Sequence, residues 1–246
     1  MSLGNIIRNL LKTKAGRITT RLHLLMHSWI ELQYPKETYD NEVSYRDDFY
    51  KKAMRFIEFN KITGDYLEFG CYGGVTFTLA HKYKHMNNLQ MKLYAFDSFQ
   101  GLPPLTGIDT HDQWNQGDYK MGFQDFVTRL NKNGINESEY QLVPGFYEES
   151  LKTNLPSKLG IEKASLVYID CDLYESTVPV LNYILPILQT GTIIAFDDYY
   201  CFNGDPERGE QRALREFQKR NNNLQMTDYI NIGWGGKAFI VKINSI

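Results

Sequence analysis

The sequence has few cysteines, no long apolar run and no excess of charge of either sign. Its three cysteines, Cys71, Cys171 and Cys201, are far apart and form no CxxC pair. This usage argues against a disulfide framework and fits a reducing compartment. No stretch approaches the roughly 20 apolar residues of a membrane-spanning helix, and the N-terminus lacks the apolar core of a secretory signal. We therefore expect a cytoplasmic protein.

The balance of charge also excludes a class of partner. Lysine and arginine number 27, aspartate and glutamate 29, and the formal charge of the 246 residues is −2. A dedicated nucleic-acid-binding domain is normally strongly basic, so we expect no nucleic-acid partner. Hydrophobic residues make up 42% of the chain, which is enough for the core of one large domain.

The pattern of apolar residues changes after Asp65. Residues 1–60 have helical spacing, with a third helix expected to begin at Ser44, and we assign them to a helical extension that serves oligomerisation or acts as a lid. Residues 61–246 alternate short apolar runs with helical segments, which predicts a mostly parallel sheet covered on both faces. The expected strands are 66–69, 92–96, 140–143, 165–169, 192–196, 224–230 and 237–243, the last two forming an antiparallel hairpin at the edge.

A long segment without periodicity, 98–118, interrupts this alternation. It is rich in glycine, proline and aspartate. Unstructured loops of this length inside a domain are usually functional lids or disordered insertions. Because the segment also carries Phe99, His111 and Trp114, we expect a lid.

A glycine-rich loop follows the first predicted strand and opens a helix. It contains Glu68, Gly70, Cys71, Tyr72, Gly73 and Gly74, and it is not GxGxxG because Tyr72 stands where the second glycine would be. The next strand ends at Asp97, an acidic position suited to ribose hydroxyls. This pair predicts a nucleoside-containing ligand, and the alternative is a tight turn with a solvated aspartate.

Four carboxylates follow two further strands. Asp170 and Asp172 end one strand, and Asp197 and Asp198 end the next. Neighbouring carboxylates repel unless a cation or a proton lies among them. All-oxygen ligation favours a hard cation, Mg²⁺ or alternatively Ca²⁺ or Mn²⁺. The competing interpretation is that some of them cap helices, as Asp172 would for the helix that follows it.

Two weaker patterns complete the set. Phe146 and Tyr147, after Gly145 at another strand end, offer rings for stacking on a base. His81 and His85 stand one helical turn apart, but no acidic third ligand is near them in the sequence. We therefore expect these histidines to be solvated helix positions.

Five segments together resemble one family. They are LEFGCYGG (67–74), YAFDSFQGLP (94–103), VPGFYEESL (143–151), YIDCDLYEST (168–177) and IIAFDDYY (193–200). In this order they resemble the macrocin O-methyltransferase family, metal-dependent enzymes that use S-adenosylmethionine to methylate sugar hydroxyls. The resemblance implies an α/β fold, a Rossmann-like class I methyltransferase with a seven-stranded sheet in the order 3-2-1-4-5-7-6.

The resemblance also implies roles for individual residues. It assigns Glu68, Gly70 and Gly74 to the methionine end of the cofactor, Asp97 to its ribose and Phe146 to the adenine region. Cys71, Tyr72, Ser98, Gly145 and Asp170 complete the expected cofactor site. It assigns Asp170, Asp197 and Asp198 to Mg²⁺, and Asp170 and Asp172 to catalysis, with Asp172 as the general base.

The expected function is therefore Mg²⁺-dependent methyl transfer to a hydroxyl of a sugar or glycoside, in polysaccharide or secondary-metabolite biosynthesis. A catechol-type or other small-molecule acceptor is the alternative, followed by an NAD-binding oxidoreductase and a non-catalytic binding subunit. The expected partners are a small-molecule or glycan acceptor and further copies of the chain in a homo-oligomer. Residues 1–30 carry five basic side chains and no acidic one, so peripheral membrane contact competes with packing as a dimerisation or lid helix.

Overall fold

The computed structural model describes residues 36–112 and 114–244. The predictions for residues 1–30, including membrane contact, lie outside this range. In the described part, no helix has both the length and the apolar character needed to cross a membrane.

Helices and strands alternate along the chain as the periodicity predicts. The helices are α1 (Lys36–Phe59), α2 (Val75–Met86), α3 (Phe123–Lys132), α4 (Tyr147–Thr153), α5 (Pro156–Leu159), α6 (Tyr174–Ile184) and α7 (Gly209–Arg220). The strands are β1 (Asp65–Phe69), β2 (Leu93–Asp97), β3 (Tyr140–Pro144), β4 (Ala164–Ile169), β5 (Ile193–Phe196), β6 (Leu224–Ile232) and β7 (Gly236–Ile243). Helix α1 begins at Lys36, so the expectation that Ser44 opens it is wrong.

The strands form one sheet in the order β3-β2-β1-β4-β5-β7-β6, which confirms the predicted fold class and order. Strands β1 to β5 pair in parallel, and β7 pairs antiparallel with both β5 and β6. All six residues of the central strand β4 are buried, as expected for a parallel strand covered on both faces.

Alternate residues of the strands enter two separate hydrophobic clusters, one on each face of the sheet. Leu166 and Tyr168 of β4 pack with residues of α1, α2 and α3, whereas Val167 and Ile169 pack with α6 and α7. The compact unit that contains the sheet begins at Tyr45, inside α1, and from Phe49 onward this helix contributes buried side chains to the first face. The predicted domain boundary between residues 60 and 61 stays a prediction.

The predicted lid is folded onto the domain. Its short 3₁₀ turn, Gly107–Asp109, buries Asp109, whose two carboxylate oxygens accept hydrogen bonds from the backbone N–H groups of Tyr174 (2.8 Å) and Glu175 (3.0 Å). These are the first N–H groups of α6, which has no capping side chain of its own at Leu173. The lid therefore supplies the N-cap of a helix that lies 65 residues further along the chain.

A substitution at Asp109 tests this cap. Asp109→Ala leaves two N–H groups of α6 without an acceptor, and we expect it to lower the free energy of unfolding by about 1–2 kcal/mol. Asp109→Asn, which keeps one acceptor oxygen, should lose less. Urea denaturation measures both, with Asp112→Ala, an exposed residue of the same segment, as the control. Equal stability of all four proteins would show that the cap contributes nothing.

Candidate functional site

The predicted site residues lie along the carboxyl ends of the parallel strands. Their backbone extends the sheet by one bond at each junction: Gly70 N donates to Phe96 O (2.9 Å), Asp170 N to Phe69 O (2.8 Å) and Asp197 N to Ile169 O (2.9 Å). At the outer side, Gly145 N donates to Asp97 O (2.9 Å). Because the ladder continues past the strands, the loop residues that follow them are held level at one edge, where open α/β sheets bind ligands.

Only glycine fits at position 70. Its φ is +85°, and a Cβ built there would lie 1.8 Å from the carbonyl oxygen of Asp170. The absent side chain allows the β1 loop to cross directly beside the loop that follows β4. The backbone of the glycine loop therefore lies directly against the backbone at Asp170.

Asp97 holds the glycine loop in place. Its Oδ2 accepts hydrogen bonds from the N–H groups of Cys71 (2.7 Å) and Tyr72 (3.3 Å), and its Oδ1 accepts one from Phe99 (2.6 Å). Burial raises the pKa of Asp97, and these three N–H donors partly oppose the rise. The predicted contact of Asp97 with a ribose stays a prediction, and it would be made by a carboxylate already fixed by the loop.

The other predicted cofactor residues lie in the loops that follow β1, β2 and β3. Gly74, in the left-handed conformation, is the N-cap of α2. Ser98 closes a turn by donating from Oγ to Gly101 O (2.9 Å). Of the two candidate stacking rings, Phe146 is 37% exposed, whereas Tyr147 packs against the second hydrophobic cluster and donates to Phe96 O (3.3 Å). Phe146 is thus the ring that a ligand can reach.

Glu68 is fully buried at the end of a chain of hydroxyl groups. Thr76 Oγ1 donates to its Oε1 (2.6 Å), the Tyr66 hydroxyl donates to its Oε2, and the Tyr66 and Tyr50 hydroxyls are 2.7 Å apart. Burial raises the pKa of Glu68 to about 8, although the bonds from Thr76 and Tyr66 act in the opposite direction. Near neutral pH this side chain therefore holds a proton in the folded protein.

Three of the four predicted carboxylates converge. Ligand oxygens of Asp170, Asp172 and Asp198, here called the acid triad, lie within 4.8 Å of one another. Oδ2 of Asp198 is buried and has no hydrogen-bond partner. Burial raises the pKa of all three carboxyls well above the ordinary range, and repulsion from their acidic neighbours adds to it. A buried oxygen without a donor, in a group of mutually repelling acids, is the environment that a cation stabilises.

Asp172 is available to the triad because it does not cap α6. That position is taken by Asp109. Asp172 itself has φ of +59°, a left-handed conformation that is uncommon for a residue with a side chain. The conformation belongs to the turn between β4 and α6 that carries the acid triad.

Asp197 faces a different partner. Arg46 of α1 donates from Nε to its Oδ1 (3.2 Å) and from Nη2 to its Oδ2, and the Tyr168 hydroxyl also donates to Oδ1. Burial alone would lower the pKa of Arg46, but the charges of Asp197, Tyr168 and Asp170 and the hydrogen bonding to Asp197 together raise it. The structure thus places Asp172, rather than Asp197, with Asp170 and Asp198, and the predicted ligand set stays a prediction.

Two participants escaped sequence reasoning, Arg46 and Glu210. Glu210, in the first turn of α7, is buried and accepts hydrogen bonds from Asp198 N (3.0 Å) and Cys171 N (3.5 Å), so it joins the loops after β4 and β5. Burial and then Asp198 raise its pKa well above the ordinary range. Glu210 lies beyond IIAFDDYY in the sequence, and nothing in its surroundings marks it as a site residue. Arg46 lies 151 residues from Asp197, and no local pattern connects the two.

Comparison with known proteins identifies the family. The family described as Macrocin-O-methyltransferase (TylF) matches residues 29–236, most of the chain. The chain belongs to the macrocin O-methyltransferase family. This confirms the resemblance carried by the five segments, and the match extends beyond them to include α1.

The individual relatives are distant. A tetracenomycin-C O-methyltransferase of Streptomyces olivaceus, named for 4'-O-methylation of a dimethoxy-rhamnosyl compound, is 23% identical over 146 residues (56% of this chain, 54% of the relative). Demethyldecarbamoylnovobiocin O-methyltransferase of Streptomyces niveus is 26% identical over 152 residues (57% and 54%). The chain spans about half the length of these curated relatives.

The fold agrees with that of a solved methyltransferase. The crystal structure of CalS11, a calicheamicin methyltransferase, superposes with a TM-score of 0.67 over 85% of this chain and 86% of that one, at 21% identity. At that identity the likeness establishes the fold of this macrocin O-methyltransferase family member.

The raised pKa of Glu68 predicts a pH dependence of stability. In the unfolded chain this carboxyl loses its proton near the ordinary value of 4.5, whereas the folded protein keeps it to about 8. The stabilisation is therefore complete below pH 4.5 and is lost as pH rises towards 8. Relative to Glu68→Gln, the wild type should lose up to about 5 kcal/mol of unfolding free energy over this interval.

Urea denaturation at a series of pH values measures this difference. Glu148→Gln, an exposed position in the first turn of α4, should follow the wild-type profile. Parallel profiles for Glu68→Gln and the wild type would contradict the buried, protonated state of Glu68.

Proposed function

We propose that this family member is an S-adenosylmethionine-dependent O-methyltransferase whose acid triad binds Mg²⁺ and whose acceptor is a hydroxyl of a sugar or glycoside. The observation that carries the proposal is the buried, partnerless Oδ2 of Asp198 inside the triad, next to the glycine loop. Membership in an O-methyltransferase family supports methyl transfer. The rhamnosyl compound in the name of one relative supports a sugar acceptor.

The triad fits Mg²⁺ by the chemistry of its donors. All three ligands are carboxylate oxygens, and a hard cation that prefers oxygen is stabilised by several of them. We propose Asp170 and Asp198, which belong to the predicted ligand set, together with Asp172 in place of Asp197. When bound, Mg²⁺ would polarise and orient the acceptor hydroxyl and make it easier to deprotonate.

The chain's own residues supply alignment and proton transfer. Methyl transfer from a sulfonium needs oxygen, methyl and sulfur in line, so positioning is the main task of the protein. The glycine loop leaves room for the cofactor, and Phe146 offers a ring at the expected adenine region. Asp172 is proposed to take the hydroxyl proton through the carboxylate oxygen that the ion does not use, because no helix cap engages this side chain.

Two tyrosines, one of them in the glycine loop, pack against each other and remain half exposed. Tyr72 and Tyr119 meet edge to face with ring centroids 5.8 Å apart, and about half of each side chain is exposed. Burial and then the charge of Asp172 raise the pKa of Tyr119. We propose that these rings contact the acceptor, since aromatic faces pack well against the apolar faces of sugar rings.

Methyl transfer to a panel of nucleotide sugars and glycosides, followed by mass spectrometry, tests the function. With S-adenosylmethionine and Mg²⁺ we expect a methylated sugar product. Asp198→Asn should lower kcat at least about 100-fold because it removes a charge from the reaction centre. Asp48→Asn, an exposed control on α1, should retain full activity.

Several outcomes would overturn the proposal. Methylation of catechols with no sugar product would change the acceptor class. Calorimetry that detects NAD binding but no S-adenosylmethionine binding would reject a methyltransferase. Full activity of Asp198→Asn would remove the triad from the mechanism.

Metal binding is tested separately with Mn²⁺ as a paramagnetic substitute for Mg²⁺. The electron paramagnetic resonance signal of free Mn²⁺ decreases as the ion binds and so measures binding. We expect Asp198→Asn to weaken the affinity for Mn²⁺ at least about tenfold. Its affinity for S-adenosylmethionine should remain within about twofold of wild type, as measured by calorimetry. Equal Mn²⁺ affinity of Asp198→Asn and wild type would contradict the assignment.

A further inference from the structure

A second group of metal-ligand side chains lies at the opposite edge of the sheet. His81 and His85 are on the last turns of α2, which starts at the glycine loop and runs away from it. Glu139 ends the 3₁₀ turn Glu137–Glu139, immediately before β3 begins at Tyr140. The group therefore joins the end of α2 to the amino end of β3, far along both elements from the acid triad.

Three ligand atoms of this group point at one another. His81 Nε2 is 3.1 Å from Glu139 Oε1, His85 Nε2 is 2.8 Å from the same oxygen, and the two Nε2 atoms are 3.0 Å apart. Sequence reasoning found the two histidines but no acidic ligand, because Glu139 lies 58 and 54 residues away from them. Folding supplies the third ligand.

Hydrogen bonds alone do not account for the arrangement. A neutral imidazole carries one N–H, so each Nε2 is either a donor or an acceptor. If both Nε2 atoms donate to Glu139 Oε1, the contact between the two nitrogens has no acceptor. If one Nε2 atom carries no hydrogen, it can accept from the other nitrogen but cannot donate to the carboxylate. A metal ion is the partner that accepts a lone pair from all three atoms together.

The ligands are held in position before any ion binds. The second oxygen of Glu139, Oε2, accepts hydrogen bonds from the backbone N–H (3.2 Å) and side-chain Nδ2 (3.3 Å) of Asn136, which leaves Oε1 facing the histidines. One helix fixes both imidazoles. The side chains of His81 and Glu139 are 15% and 20% exposed, whereas that of His85 is 55% exposed, so the site opens to solvent on one side.

We propose that His81, His85 and Glu139 form a binding site for a divalent transition-metal ion, with Zn²⁺ as the preferred occupant. Two imidazoles and one carboxylate, with water in the fourth position, make a common tetrahedral zinc set. Imidazole nitrogen favours Zn²⁺ over Mg²⁺, so the site differs in preference from the all-oxygen triad. Bound metal would cross-link α2 to β3 and stabilise the folded state.

One charged neighbour opposes the ion. Nζ of Lys84 is 3.8 Å from Glu139 Oε1, beyond hydrogen-bond distance but close enough to repel a cation at the site. Removing this charge should therefore strengthen metal binding, whereas removing a ligand should weaken it. If His81, His85 and Glu139 only stabilise the fold, neither substitution should change metal affinity.

The experiment uses the full chain after treatment with a chelator. Because His23 and His27 have the same spacing as His81 and His85, all proteins carry His23→Ala and His27→Ala. Zn²⁺ is titrated by calorimetry, Co²⁺ by its visible absorption, and thermal unfolding is followed with and without Zn²⁺. We expect one Zn²⁺ at this site, tetrahedral Co²⁺ absorption, and a rise in Tm of roughly 5–10 °C at a hundredfold excess over Kd.

The variants separate this site from every other. His85→Ala and Glu139→Gln should each weaken Zn²⁺ binding at least about tenfold and remove the tetrahedral Co²⁺ spectrum, and Lys84→Met should tighten binding a few-fold. Asp198→Asn should leave the tetrahedral Co²⁺ spectrum unchanged, because that spectrum requires the imidazole ligands, so this measurement tests the proposal independently of the triad. The proposal would be overturned if the protein that carries only His23→Ala and His27→Ala did not bind Zn²⁺. It would also be overturned if His85→Ala and Glu139→Gln left the affinity for Zn²⁺ unchanged.

Discussion

Repulsion among buried carboxylates is the constraint around which the carboxyl edge of the sheet is built. Removing one such charge from water costs several kcal/mol unless a partner compensates it. Each acid is compensated differently: Asp97 by backbone N–H groups, Asp197 by Arg46, and Glu68 by keeping its proton. In the acid triad, Oδ2 of Asp198 has no hydrogen-bond donor. A bound cation would therefore stabilise the site most at this oxygen.

The surrounding elements engage the triad carboxylates little, although the Cys201 thiol donates to Asp198 Oδ1 (3.3 Å). Asp109 of the lid caps α6, so Asp172 does not. Glu210 accepts hydrogen bonds from the N–H groups of Asp198 and Cys171. These bonds fix the loops after β4 and β5 relative to each other, and they do not involve the carboxylates of the triad. The lid and α7 therefore act as supports of the site. Loss of either would alter the positions of the triad carboxylates through the backbone that carries them.

The two clusters of ligand side chains occupy opposite edges of one sheet, and their donors differ in kind. The acid triad offers only oxygen, whereas the group of His81, His85 and Glu139 offers two imidazole nitrogens and one oxygen. Hard cations prefer the first set and borderline transition metals the second. The two proposed metal sites are separated along α2, which begins at the glycine loop and ends near the amino end of β3.

The sequence by itself determined the order of strands and helices, the resemblance to the family, and the edge at which Glu68, Asp97 and Asp170 lie. These follow from local periodicity and from the rule that parallel strands present their carboxyl ends together. Only the tertiary structure decided that Arg46 meets Asp197, that Asp109 caps α6, and that Glu139 meets His81 and His85. These partners are separated by 54 to 151 residues, and packing between helices and loops, which no local pattern encodes, brings them into contact.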